Sequence, residues 1–168
     1  MTPKDILVTA VDPALTLLAT HGVKSDDRAR VLLMAIAGQE SAWQYRVQIG
    51  GPAHSFWQFE KGGGVAGVLG HPASREKIKA VCAELGVPCD AESVYQAMID
   101  NDVLAACMAR LLLFTDPAPL PNVSEVMAGW EMYQRNWRPG APHPDVWPGR
   151  YGTAMGLVNQ VQKETANG

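Results

Sequence analysis

Cysteine is sparse in this chain. Cys82, Cys89 and Cys107 make an odd count without a framework spacing, which argues against a disulfide-stapled secreted domain. Cys82 and Cys89 are seven apart and could approach one another, whereas Cys107 sits in an apolar helical run as a small core residue. The histidines His21, His54, His71 and His143 are scattered, and no Cys/His set has zinc spacing, so neither a metal nor a cofactor is expected. Charge of one sign is also missing. Fourteen basic residues face 17 acidic ones, for a net charge of −3. No basic stripe marks a nucleic-acid interface, and long-range steering toward an anionic polymer contributes little. There is no long hydrophobic run: the apolar N-terminal stretch is interrupted at Asp12-Pro13 and is too short to span a bilayer. It also lacks a basic leader and a small-residue cleavage site, so the chain is expected to be made and kept in a cytoplasm unless something releases it. Lys61-Gly62-Gly63-Gly64 lacks the Lys-Ser/Thr ending and the setting of a phosphate loop. No nucleophile elbow supports Ser-His-Asp chemistry.

What is present suits one globular domain. The 168 residues are 47% hydrophobic and 18% charged, enough for a proper core. Thr2-Pro3 starts a first helix, Asp12-Pro13 repeats the signal and splits the segment, and His21-Gly22 closes it. Ser25 is expected to cap the next helix, which carries Val31 to Glu40. Tyr45, Val47 and Ile49 alternate with Arg46 and Gln48, Gly50-Gly51-Pro52 is a turn, and Ser55 to Phe59 can return. That pattern predicts a small β-hairpin beside the glutamate helix. Further helices are expected from Arg75 to Leu85, from Val103 to Leu113 (apolar nearly all round, hence central), from Glu125 to about Trp137, and from Trp147 to about Lys163. The fold class expected is mainly α, a single α+β domain. It comprises an N-terminal helical segment over about 1–24, a helix and hairpin over 25–64, and a helical remainder over 65–168.

The chain is organised around Glu40. Leu33, Ile36, Ala37 and Glu40 recur at i, i+3, i+4 and i+7, so the carboxyl shares the stripe that faces the core. Desolvation there disfavours the charged form. A carboxylic acid kept protonated near neutral pH is what protonation of a glycosidic oxygen requires. The plainer alternative is a glutamate that turns to solvent as its helix ends.

Glu40-Ser41 at a helix end, followed by Gly51-Pro52-Ala53-His54-Ser55-Phe56-Trp57-Gln58-Phe59-Glu60, resembles the goose-type lysozyme and soluble lytic transglycosylase group of the lysozyme-like superfamily. Phe56-Trp57-Gln58 matches that group's hydrophobic-hydrophobic-Gln unit. Ala128-Gly129-Trp130-Glu131-Met132-Tyr133 falls where the group has its aromatic third motif, although the usual Tyr-Asn-Ala-Gly order is absent. With Asn136-Trp137-Arg138-Pro139-Gly140, the set looks most like bacteriophage-encoded members. The resemblance implies a lysozyme-like fold and cleavage of the β-1,4 bond between N-acetylmuramic acid and N-acetylglucosamine in peptidoglycan glycan strands. It further implies synthesis in a host cytoplasm with action in the periplasm or wall, at lysis or as part of a virion beside other phage proteins. The protein is expected to be a monomer.

The resemblance makes Glu40 the general acid in either of two schemes. Hydrolases use two carboxylates, and Glu60 is the candidate second one; a solvated residue, or an ion pair with Lys61 or Arg46, is its alternative. Lytic transglycosylases use one glutamate as acid and then base, and the sugar's own hydroxymethyl oxygen attacks. Gln58 matches the motif glutamine that holds the cleft and binds N-acetyl sugars, or it bonds only its own hairpin. Ser41 fixes the rotamer of the acid or is a plain helix C-cap. Ser55 and Trp57 are the remaining substrate-binding candidates on the hairpin, Trp57 by stacking on sugar unless it is core. Trp130 and Tyr133 complete the set, and Tyr133 is favoured to reach Glu40 through its hydroxyl; core packing is the alternative for the whole aromatic stripe, most of all for Trp137. His54 and His143, in loops expected to face the cleft, are read as bystanders. The rival from another class is a non-catalytic virion or wall-binding protein that retains the fold.

Overall fold

The computed structural model describes residues 1–168 and is all-helical. Nine α-helical segments occur in order: α1 (Pro3–Ile6), α2 (Asp12–Thr20), α3 (Asp27–Ser41), α4 (Ala66–Gly70), α5 (Arg75–Leu85), α6 (Ala91–Ala97), α7 (Asp102–Phe114), α8 (Val126–Trp137) and α9 (Trp147–Asn167). Thr2 caps α1 reciprocally with Asp5. A π-helical turn over Leu7–Val11 joins α1 to α2 without leaving helical backbone. The expected break at Asp12-Pro13 is therefore a widening: Pro13 lacks an N–H and crowds the preceding turn, and the wider turn absorbs it. About eight helical rods result.

α3 lies at the centre. Every residue from Val31 to Gly38 is buried, so the helix is enclosed on all sides and not along one stripe. Its N-cap is Asp26, one residue beyond the expected Ser25, because the Asp26 carboxylate accepts from the Arg28 amide. α9 runs along α3 in the most extensive helix pairing, and α7, buried from Leu104 to Leu113 as its composition predicts, takes α2 and α5 on its flanks. These helices share one contiguous apolar cluster.

The predicted β-hairpin does not form. Residues 45–60 contain only isolated bridges, Val47 with His54 and His54 with Phe59. The alternation is real but faces the wrong way: Tyr45, Val47 and Ile49 are exposed. Arg46 turns inward instead, donating to both oxygens of Asp102 at 2.8 Å and lying 4.6 Å from the centre of the Phe56 ring. On the return, Phe56, Trp57 and Phe59 are all buried, which a two-faced strand does not permit. Ser55 (φ +71°) and Gln58 (φ +51°) take left-handed backbone, so the chain coils through tight turns.

Candidate functional site

Glu40 occupies the last turn of α3, where the helix stops abruptly. Ala42 (φ +51°) and Trp43 (φ +59°) are both left-handed, a backbone costing on the order of 1–2 kcal/mol per non-glycine residue. The reversal folds the Trp43 ring back under the helix, where its Nε1 donates to the Met34 carbonyl at 2.9 Å. Gly38 makes room for it: a Cβ there would stand 2.3 Å from the indole. The strained turn is thus held by burial of a large ring.

The Tyr133 hydroxyl, from α8, donates to Glu40 Oε1 at 2.6 Å. This is the contact expected of Tyr133 from the resemblance of its segment to the third motif. Tyr133 stacks on Trp147 with ring centres 5.5 Å apart and lies against Trp130 and Trp137. Gly129 lets α8 approach this stack, since a Cβ would meet the Tyr151 ring at 2.8 Å. Burial pushes the Glu40 carboxyl up to about 7, against the opposing pull of the Tyr133 hydrogen bond. Burial and Glu40 together hold the Tyr133 phenol protonated. Glu40 Oε2 has no protein partner, and Gln39 Oε1 is the one enclosed side-chain polar atom left without one. Oε2 therefore opens to solvent while Oε1 is held. A half-buried acid with one oriented and one open oxygen can give up and take back a proton near neutral pH.

The other candidates divide. Gln58 and Glu60 line a cavity of about 630 Å³ with Trp137, Asn136, Arg135 and Arg138, but Glu40 is not in that wall. The Gln58 amide donates to the Ser55 carbonyl at 2.8 Å, so it braces its own turn and also faces the cavity. Glu60 is exposed and pairs with neither expected cation: Lys61 is taken by Glu92 and Arg46 by Asp102. Ser41 is buried and donates to the Ala37 carbonyl at 2.8 Å, so it is oriented by its own helix and not toward Glu40.

Ser55 and Trp57 are corrected outright. Both are fully buried and offer no surface to a ligand. The Ser55 hydroxyl accepts from the Trp57 amide, and the Trp57 indole donates to the Leu33 carbonyl of α3. Trp130 is likewise core, packed on Trp147. His54, expected to face a cleft, is buried and stacked on Tyr95 at 3.8 Å.

Sequence reasoning missed Gln39, Trp43, Arg135 and Arg138. Gln39 Nε2 donates to the His143 carbonyl at 3.0 Å and so pins the proline-fixed loop beside the glutamate helix. Its place next to Glu40 was the available signal. Nothing in the spacing of the two arginines distinguishes them from other surface cations.

Comparison of the chain with protein-family models, with curated proteins and with solved structures finds no match.

Proposed function

We propose that this protein is a peptidoglycan-cleaving glycosidase of lysozyme-like fold in which Glu40 is the single general acid and base. The observation that carries this reading is the Glu40 carboxyl itself, raised to about 7 by burial, fixed at Oε1 by Tyr133 and open at Oε2. Protonated, it donates to the glycosidic oxygen and releases the 4-hydroxyl of N-acetylglucosamine. The carboxylate left behind then takes the proton of the muramyl C6 hydroxyl as that oxygen closes on C1. A 1,6-anhydro end forms and Glu40 is protonated again. The Tyr133 hydrogen bond is stronger to a carboxylate than to a carboxylic acid, so it favours the anion when positive charge develops on the sugar.

One-glutamate chemistry is favoured over the two-carboxylate scheme. Glu40 is perturbed by burial and by Tyr133 alone, with no second carboxylate contributing, and Glu60 lies in the wall of the cavity that excludes Glu40. Gln58 and Trp137 on that wall suit N-acetyl sugars further along the strand. The bacteriophage setting, with synthesis in a host cytoplasm and action on the wall, belongs to the same proposal. It rests on the motif set and not on the geometry.

The test is incubation of wild type and Glu40→Gln with purified peptidoglycan, followed by mass spectrometry of the soluble muropeptides. Anhydro ends from wild type and at least about a thousandfold less product from the variant are expected. Reducing ends would instead mean hydrolysis and direct the next substitution to Glu60. No release, with a control lysozyme active, would replace the proposal by a non-catalytic wall-binding protein.

A further inference from the structure

The α2–α3 turn, the end of α7 and the connection over 116–120 line a separate cavity of about 470 Å³, which shares no residue with the Gln58 wall. Arg110 of α7 is its unusual feature. The residue is only 5% exposed, yet no carboxylate pairs with it. Its Nε donates to Ser25 Oγ at 2.9 Å and its Nη2 to the Lys24 carbonyl at 3.1 Å, both neutral acceptors. The two acids in the same wall are occupied elsewhere: Asp26 by Arg28 at 3.0 Å, and Asp116 by Arg135 at 3.1 Å with Asn136.

A buried guanidinium normally has an anionic partner, because its desolvation is repaid only by a close opposite charge. Burial pulls Arg110 down to about 10, and the nearby Asp26 charge, itself bonded to Arg28, offsets that only in part. The face of Phe114, with its ring centre 5.8 Å from the guanidinium, is a weaker substitute. Nη1 makes no hydrogen bond, and it is not enclosed, since Gln39 Oε1 is the one enclosed side-chain polar atom without a partner. Nη1 therefore keeps some exposure, and Arg110 is part of the cavity wall. Leu113, Phe114 and Leu120 give the wall an apolar part, and Lys24, which forms no ion pair, adds positive charge, whereas Arg28 and Asp26 neutralise one another.

We propose that this cavity binds a carboxylate carried on an apolar group, with the anion on Arg110 Nη1 and the apolar part against Phe114 and Leu120. A free peptide C-terminus with a hydrophobic last residue and a short aliphatic acid both present this chemistry. Size fits too, since small-ligand cavities span roughly 300–1,000 Å³. The site is independent of the Glu40 chemistry.

The experiment is calorimetric titration of the full chain with acetyl-alanyl-phenylalanine, with its C-terminal amide, and with hexanoate. The free-acid peptide is expected to bind, and the amide at least about tenfold more weakly, the loss typical of a charge-assisted hydrogen bond. Arg110→Met should bring the acid down to the amide's level, with circular dichroism reporting whether it folds. Leu120→Asp, which sets a negative charge in the cavity wall at a half-buried position, should weaken the acid by a similar factor, with circular dichroism again reporting the fold. Preference for the peptide acid over hexanoate would assign a peptide C-terminus as the source, and equal binding would assign small carboxylic acids. Absence of binding by wild type at millimolar ligand, equal binding of acid and amide, or unchanged binding in folded Leu120→Asp would overturn the proposal and leave Arg110 as a clamp on the α2–α3 turn.

Discussion

At the level of single residues, Glu40 leaves a signature in stability as well as in activity. Its carboxyl ordinarily titrates at 4.5 and does so in the fold at about 7, so the folded state holds the proton more tightly than the unfolded chain. The resulting stabilisation is fully present below about pH 4.5 and lost as pH rises through 7. Its full size is on the order of 3 kcal/mol, at 1.36 kcal/mol per pKa unit. The depressed carboxyls Asp5, Asp26, Asp90 and Asp116 titrate below 3.8 in the fold and Glu92 and Glu164 below 4.5, outside this window. Urea midpoints at pH 5 and pH 8 should therefore differ more for wild type than for Glu40→Gln; parallel behaviour of the two proteins would mean that Glu40 ionises like a surface residue. Tyr133→Phe removes the one contact that pulls the Glu40 carboxyl down. Protonated Glu40 is the active acid in the proposed reaction, so the alkaline limb of the rate profile should move to higher pH in this variant, and kcat should fall by about tenfold or more as the anion loses its donor. A rate profile that keeps its shape would confine Tyr133 to packing.

Among the elements, the end of α3 is where local structure and chemistry meet. The helix could continue past Ser41 on propensity alone, but Trp43 is drawn under Gly38 and the backbone reverses through two left-handed residues. Gly38→Ala sets a methyl group 2.3 Å from the indole, which must move. A loss of about 1–3 kcal/mol is expected, the usual range for overpacking, together with weaker cleavage because the turn that carries Glu40 shifts. Denaturant midpoints and muropeptide yield measure the two effects; an unchanged midpoint would show that the ring repacks freely. The following segment, 45–60, teaches the converse. Its polar and apolar residues alternate as a strand requires, yet Arg46 is the residue that turns inward, because Asp102 at the start of α7 offers a bidentate partner and Phe56 a ring face. A strand pattern read without its partner cannot reveal that exchange of faces.

Over the whole molecule, one apolar cluster runs from α1 through α9 and includes the aromatic stack beside Glu40. No element has a core of its own, so unfolding should be a single transition. Tryptophan fluorescence, which reports the stack, and far-ultraviolet circular dichroism, which reports the helices, should give coincident denaturant curves; separated midpoints would mean that the site melts before the bundle. The helical class, the buried character of α7, the limits of α5 and α8 to within a residue or so, and the placing of Glu40 at the end of a buried helix were all legible in order and spacing. They depend on neighbours three or four positions away, which the chain itself supplies. The meeting of Tyr133 with Glu40 was legible only through a motif, since 93 residues separate them. Which tryptophans are core, which face Arg46 turns to, and why Arg110 lies buried without a carboxylate were decided by the tertiary structure alone. Each depends on a partner brought in from a distant element, and periodicity carries no information about such partners.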